Sequence, residues 1–190
     1  MHKRKPITRE FLQQHLIYYP ETGLFRWRKR RFKVNCGWNT KNAGQIAGST
    51  CPAGYVLISL GKERFLAHRL AFVMMTGTAP ICVDHINGVR HDNRWSNLRS
   101  ATRSQNNKNK GVRSDNSSGA TGVSWHCQRK RWVAEITCEK KHKFLGLFDT
   151  IAEASAAYKK AAEQLYGEFH RRSEAEKPTA APPMQFELPL

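Results

Sequence analysis

The chain has 190 residues, with 32 lysines and arginines against 15 aspartates and glutamates, which gives a formal charge of +17. This excess of cations is larger than solubility requires and indicates a polyanionic partner. No apolar run approaches the roughly 18 residues of a membrane span, so we expect neither a membrane protein nor a secretory signal. Five cysteines without a CxxC pair argue against a disulfide framework or a zinc site and predict free thiols in a reducing compartment.

The basic residues lie in long stretches without acids. Residues 22–62 and residues 93–114 contain no aspartate or glutamate. The first stretch interleaves its cations with Phe25, Trp27, Phe32 and Trp38. Cations that displace counterions and aromatic rings that stack on bases are typical of a nucleic-acid surface. The alternative is an ordinary solvated strand edge.

The N-terminal residues predict a helix followed by a strand. Thr8 suits an N-cap, and the spacing of Phe11, Leu12, Leu16 and Tyr19 indicates one helix that ends at the turn residues 20–23. A strand over 24–28 follows. This helix is expected to pack against the core rather than to read DNA.

A hairpin and a core helix come next. Residues 55–60 and 64–67 alternate as strands and are joined at Gly61. Residues 68–76 are apolar enough for a buried helix, which Gly77 would end as a C-cap. His68 begins that helix, and we interpret it as a core or capping histidine rather than a substrate contact.

The most informative pair is Asp84-His85. An aspartate provides a hard oxygen ligand for a divalent cation, and the neighbouring imidazole titrates near neutral pH and can act as a base. Asn97 lies 13 residues after Asp84 and Asn106 lies 22 after it. The pattern predicts a strand over 83–86, a polar loop, a strand over 98–101 and a helix over 103–110 capped by Thr102.

Residues 84–109 resemble the HNH, or ββα-metal, nucleases. They match the variant in which the second and third signature residues of the motif are both Asn. The resemblance implies that Asp84 and Asn106 bind a metal ion, that His85 is the general base and that Asn97 holds the histidine loop in place. Asn107 and Asn109 compete with Asn106 for the ligand role, and His91 is a second candidate for the base.

The predicted cofactor is Mg²⁺, or another divalent cation such as Mn²⁺. Two oxygen donors leave most of an octahedral shell for water and phosphate oxygens, as is usual for Mg²⁺ at phosphoryl-transfer sites, and zinc is disfavoured. Phosphate contacts are predicted for three arginines that flank the motif, Arg90, Arg94 and Arg99. Their alternative role is that of solvated surface charges.

The C-terminal region carries a second recognisable pattern. Five short motifs follow one another in order: Gly122-Val123, Trp132-x-Ala-x-Ile, Leu145-Gly-x-Phe-Asp-Thr, Glu-Ala-x-x-Ala-Tyr and Gly-Glu-Phe. They resemble the plant APETALA and ethylene-response-factor DNA-binding domain. That resemblance implies three antiparallel strands that enter the major groove and one helix behind them, here over 151–166, capped by Thr150 and ended by Gly167.

Strand alternation predicts which side chains face the helix and which face DNA. The predicted helix-facing set is Val123, Trp125, Trp132, Ala134, Ile136 and Leu145. The outward set is Ser124, His126, Arg131, Val133, Glu135, Thr137, His142 and Phe144. The predicted DNA-binding residues of this module are Ser124, His126, Arg129, Lys130, Arg131, Glu135, Thr137 and Lys143.

Together these patterns predict an α+β protein with a ββα-metal nuclease unit. The expected domains are an N-terminal extension (1–83), the HNH motif (84–110), a linker (111–118), the DNA-binding module (119–170) and a disordered tail (171–190). The predicted function is a metal-dependent endonuclease of the phage or homing type. It would nick double-stranded DNA in a bacterial cytoplasm, and a monomer is favoured.

Two alternatives stay open. A DNA-binding regulator or phage-packaging accessory could keep the HNH fold without cleaving. An RNA-directed nuclease is less favoured, because the major groove of RNA is too narrow for a sheet.

Overall fold

The computed structural model describes residues 7–30, 36–109, 112 and 115–170. Within these residues the chain forms five α-helices and four small antiparallel sheets, which is compatible with the predicted α+β class. It divides into two compact units, the first ending at Thr102 and the second beginning at Arg103. None of the helices in the described ranges has the length and apolar character needed to cross a membrane.

The first unit opens with a helix that is shorter than predicted. Helix α1 spans Arg9–His15, and its predicted cap is confirmed because the Thr8 hydroxyl accepts the Phe11 N–H at 3.2 Å. Leu16–Tyr19 then forms strand β1, so the prediction of a helix up to Tyr19 was wrong. The β1 sequence combines a β-branched residue with two tyrosines, which favours a strand. It pairs antiparallel with β2, Leu24–Trp27, and buries Leu16 and Tyr18 with period two.

The middle of this unit follows the sequence prediction more closely. After helix α2 (Cys36–Asn42) and strand β3 (Ser49–Thr50), strands β4 (Val56–Leu60) and β5 (Glu63–Leu66) form the expected hairpin. Helix α3 spans Ala67–Thr76, and Gly77 ends it with φ 82°, which confirms the predicted C-cap.

The motif strands lie on the core of the first unit. Strand β6, Cys82–His85, pairs antiparallel with β7, Leu98–Ala101, as predicted. Val83 and Leu98 belong to the buried apolar cluster that also includes Leu12, Phe25 and residues of α3. The two strands that carry the motif are therefore anchored to the core, so the loop between them has fixed ends.

The second unit is a three-stranded sheet with one long helix. Helix α4 spans Arg103–Lys108, and the strands are β8 (Val123–His126), β9 (Arg131–Cys138) and β10 (Lys141–Phe148), with β9 in the centre. Helix α5, Ile151–Tyr166, begins at Thr150 with a capping box and ends at Gly167, as predicted. Ala154 of α5 packs on Val123 and Ala134 of the sheet.

Two residues of this sheet differ in exposure from what their predicted faces imply. Trp125 was expected against the helix but is 47% exposed. Trp125 lies on the edge strand β8, opposite Trp132 on β9, and the two ring centroids are 5.0 Å apart. Helix α5 covers Trp132 more fully than Trp125. Val133 was expected to face outward but is only 6% exposed. It lies on the central strand between Ser124 and Leu147, whose strands flank it on both sides.

The domain limits stay predictions. The proposed tail, 171–190, lies outside the described residues, and of the proposed linker only residues 112 and 115–118 are described. Helix α4, expected as the last element of the nuclease motif, belongs to the second compact unit.

Candidate active site around Asp84 and His85

Asp84 and His85 lie at the end of β6, and both side chains are buried. The β6–β7 register places Arg99 directly opposite Asp84. Oδ2 of Asp84 accepts hydrogen bonds from Nε and Nη2 of Arg99 at 2.8 and 2.6 Å. The Arg99 and Asp84 side chains are only 13% and 4% exposed, so this is a desolvated ion pair.

The histidine loop, residues 86–97, is closed by Asn97. This side chain is 1% exposed. Its Oδ1 accepts the Asn87 N–H at 2.9 Å, and its Nδ2 donates to the Asp92 carbonyl at 2.8 Å. The Ile86 N–H donates to the Asn97 carbonyl at 2.9 Å. One carboxamide thus joins both ends of the loop, an arrangement that suits the predicted holding role of Asn97.

Asp92 is an organising residue of this loop that the sequence analysis missed. Its carboxylate accepts from Asn87 Nδ2 at 2.8 Å and forms a two-point pair with Arg94, at 2.9 and 2.6 Å. Burial acts to raise the pKa of Asp92, but the hydrogen bonds from Arg94 and Asn87 outweigh it and leave the pKa lowered. The available signal was an aspartate two residues before an arginine in a short polar loop.

The His85 imidazole is held from several sides. Its Nε2 lies 3.4 Å from Oδ1 of Asn93, and its ring centroid lies 5.0 Å from that of His68 and 6.1 Å from that of Tyr55. Burial lowers the pKa of His85, while the Asn93 hydrogen bond and the charge of Asp84 act in the opposite direction. The net decrease keeps the ring neutral near pH 7, which is the form that a general base requires.

His68 is a buried histidine of α3. Its Nδ1 has no hydrogen-bond partner among the described residues. Its pKa is lowered to about 3, mainly by burial and to a smaller extent by the neighbouring His85. The helix N-cap is Leu66, so His68 is a core histidine and not a capping one.

The three arginines predicted to contact phosphate each have a partner within the protein. Arg94 and Arg99 form the buried pairs with Asp92 and Asp84. Arg90 is exposed, donates to the Ala53 carbonyl at 2.9 Å and stacks over the Tyr55 ring at 5.1 Å. Of the three, Arg90 alone is exposed, so it is the one most accessible to a phosphate.

The donor chemistry at Asp84 suits a hard divalent cation, since a carboxylate lies beside an imidazole. Among the described residues no three His, Cys, Asp or Glu side chains cluster as a metal site. The candidates for a further protein ligand are the asparagine side chains named from the sequence. Of the three candidates in and after α4, Asn106 is half-buried, Asn107 exposed and Asn109 buried. They belong to the second unit, and their ligand role stays a prediction.

The residues predicted to bind DNA in the second unit lie mostly on its surface. Ser124, Arg129, Lys130, Thr137 and Lys143 are exposed, while His126, Arg131 and Glu135 are half-buried. Arg131 forms an ion pair with Asp149 at 2.7 Å, and Glu135 pairs with His142 at 3.1 Å.

Comparison with known proteins gives two matches. A protein-family model described as HNH endonuclease matches residues 65–108. The chain is also similar to Protein 3.8 of Escherichia phage T7, with 32% identity over 90 residues, which are 47% of this chain and 73% of that protein. No solved structure gave a significant match. The chain therefore belongs to the family of phage T7 Protein 3.8 and carries an HNH endonuclease domain over residues 65–108.

Proposed function

We propose that this protein is a metal-dependent DNA endonuclease of the phage or mobile-element type, which nicks duplex DNA at the Asp84–His85 site. The observation that carries the proposal is a buried imidazole next to a buried carboxylate, at the end of a strand that lies within the HNH match. The formal charge of +17 supports DNA as the substrate.

In this mechanism His85 takes a proton from the attacking water. General-base assistance of this kind is worth roughly 10²–10⁴-fold in rate. Asn97 keeps the loop closed, so that the imidazole holds its place. Asp84 and Asn106 would hold the divalent cation, which when bound stabilises negative charge on the phosphate and on the leaving oxygen. We propose that Arg90, which is exposed, contacts a neighbouring phosphate.

The second unit is proposed as the DNA-binding module. Its exposed cations include Arg129 and Lys130 in the turn between β8 and β9. Replacing both with alanine in the full chain should make DNA binding less dependent on salt. The slope of the logarithm of the binding constant against the logarithm of the salt concentration should decrease by roughly 0.9 for each phosphate that the variant no longer neutralises. Lys159 and Lys160, exposed on α5, provide the matched control because they lie on the helix rather than in the sheet turn.

The non-catalytic alternative has one specific observation in its favour. Asp84 is already paired with Arg99, so its charge is balanced without a metal ion. A DNA-binding protein that had kept the fold for structural reasons would look similar at this position. The two functions differ in whether a divalent cation produces cleavage.

The test is incubation of the purified full chain with supercoiled plasmid, with and without Mg²⁺. We expect Mg²⁺-dependent conversion to nicked circles, abolished by His85→Ala with little change in DNA affinity. His91→Ala is the control, because this imidazole lies in the same loop but is exposed. An absence of nicking with Mg²⁺ or Mn²⁺ would favour the non-catalytic alternative, and a loss confined to His91→Ala would move the base to that residue.

A further inference from the structure

The β1–β2 hairpin lies outside the HNH match but contacts the histidine loop at three points. The buried Tyr18 hydroxyl donates to the Asn93 carbonyl at 2.7 Å. The Trp95 N–H donates to the Pro20 carbonyl at 2.9 Å. At the third point, Gly23 approaches the loop backbone directly. Two of these contacts are hydrogen bonds across more than 70 residues of sequence, so the hairpin and the loop are fixed to each other by tertiary structure alone.

Gly23 shows how close that approach is. A Cβ atom on Gly23 would lie 2.4 Å from the backbone nitrogen of Arg94 and from the backbone carbon of Asn93. Backbone atoms cannot move aside as the end of a flexible side chain can. The φ angle of Gly23 is also 72°, a conformation that disfavours other residues. The hairpin turn therefore fits against the loop without space for a single added carbon.

The contacts of Asn93 lead from the hairpin to the imidazole. Its carbonyl receives the Tyr18 hydroxyl, and its side-chain Oδ1 lies 3.4 Å from Nε2 of His85. Asn93 is itself buried, so its position is set by these partners rather than by solvent. A shift of the Asn93 backbone would move the group that orients the ring.

We propose that the β1–β2 hairpin is a positioning element of the nuclease site, in which Tyr18 acts through Asn93 to hold the His85 imidazole in place. The inference rests on the proposed function and adds to it a residue that the HNH match does not include. Tyr18 is buried and its hydroxyl contacts the Asn93 backbone, so we expect it to affect the rate of the chemical step and not DNA binding.

The test measures kcat, KM and DNA affinity of the full chain on plasmid with Mg²⁺, for Tyr18→Phe and Tyr19→Phe. Tyr18 is 9% exposed and Tyr19, the next residue on the same strand, is 42% exposed, which makes the second variant a matched control. Because a displacement of about 1 Å can cost on the order of 100-fold, we expect Tyr18→Phe to lower kcat by about 10- to 100-fold. KM and affinity should stay within about twofold, and Tyr19→Phe should match the wild type.

A double-mutant cycle distinguishes positioning from a general loss of stability. In an Asn93→Ala background the route from Tyr18 to His85 is already cut, so Tyr18→Phe should lower kcat by no more than about twofold. Equal losses of kcat in both backgrounds, or a Tyr18→Phe enzyme as active as Tyr19→Phe, would overturn the inference.

Two further outcomes are informative. If Tyr18→Phe does not fold by circular dichroism, Asn93→Ala is compared with Ser96→Ala, an exposed residue of the same loop. Equal kcat for that pair would overturn the role of Asn93 and with it the inference. A wild-type protein that binds DNA but does not cleave it would overturn the proposed function, and the positioning role with it.

Discussion

Replacing Arg99 tests how the negative charge of the Asp84 carboxylate is balanced. Arg99→Gln removes the cation from a pair whose side chains are 13% and 4% exposed. Breaking a buried pair from one side costs about 3–5 kcal/mol, because the remaining charge stays desolvated. Glutamine still offers one donor, which favours the lower end of that range. For a domain of about 100 residues, 3 kcal/mol corresponds to a decrease of at least about 12 °C in Tm.

A divalent cation should restore much of this stability if Asp84 is a ligand. In the wild type the cation competes with Arg99 for the carboxylate, whereas in Arg99→Gln that competition is removed. Mg²⁺ at about 100 times its Kd stabilises the folded state by about 2.7 kcal/mol. The increase in Tm with Mg²⁺ should therefore be larger for Arg99→Gln than for the wild type.

The assay is thermal unfolding, followed by circular dichroism across a Mg²⁺ titration. The double variant Asp84→Asn/Arg99→Gln is the matched control, since it removes both charges, keeps the shape of the Asp84 side chain and carries the same change at Arg99. It should melt closer to the wild type without metal and should not respond to Mg²⁺. The same Mg²⁺ response in Arg99→Gln and in the double variant would refute the assignment of Asp84 as a metal ligand.

Two shorter predictions concern the loop and its buried neighbour. Asn97→Ala leaves a buried N–H and a partly buried carbonyl without their partner, which costs roughly 1–3 kcal/mol for each buried group and should abolish nicking. Ser96→Ala should change neither the free energy of unfolding in urea nor nicking. His68 has a pKa lowered to about 3, so the unfolded state binds the extra proton and stability falls as pH falls below about 6.5. Urea titrations between about pH 6.5 and 4.5 give the free energy of unfolding as a function of pH. Its slope against pH should be shallower in His68→Phe than in the wild type by roughly 1.4 kcal/mol per pH unit. An unchanged slope would contradict the buried neutral state.

Elements with local signals were predictable from the sequence. The Thr8 and Thr150 caps, the Gly77 C-cap and the Gly61 hairpin turn each follow from residues within one turn of the element. The helix predicted through Tyr19 failed because Leu16 fits both a helical spacing and an alternating strand. Pairing with β2 decided between them, in agreement with the strand propensity of Ile17 and the two tyrosines.

The active-site arrangement was only partly predictable. The spacing placed Asp84 and His85 on the first motif strand and Asn97 at the end of the loop that follows it, as the structure has them. The Asp84–Arg99 pair could have been found from the antiparallel register, which makes the two residues neighbours. The hydrogen bond from Tyr18 to Asn93 joins residues 75 apart in the sequence. No local sequence pattern predicts such a contact, so only the tertiary structure reveals it.

The packing of the second unit can be tested with two glycines that differ only in their surroundings. Gly119 and Gly122 share a φ of 68°, so alanine has the same left-handed backbone cost of roughly 1–2 kcal/mol at either position. A Cβ on Gly122 would lie 2.2 Å from Cε2 of Tyr158 and 2.6 Å from the Glu135 carbonyl oxygen, whereas a Cβ on Gly119 has nothing within 4 Å. Gly122→Ala should therefore be less stable than Gly119→Ala by roughly 1–3 kcal/mol in urea unfolding, because it forces α5 away from the sheet. Tyr158→Ala in the Gly122→Ala background should recover less than the full difference, since the clash with the Glu135 carbonyl persists. Equal stability of the two single variants would show that α5 does not pack against Gly122 as the structure has it.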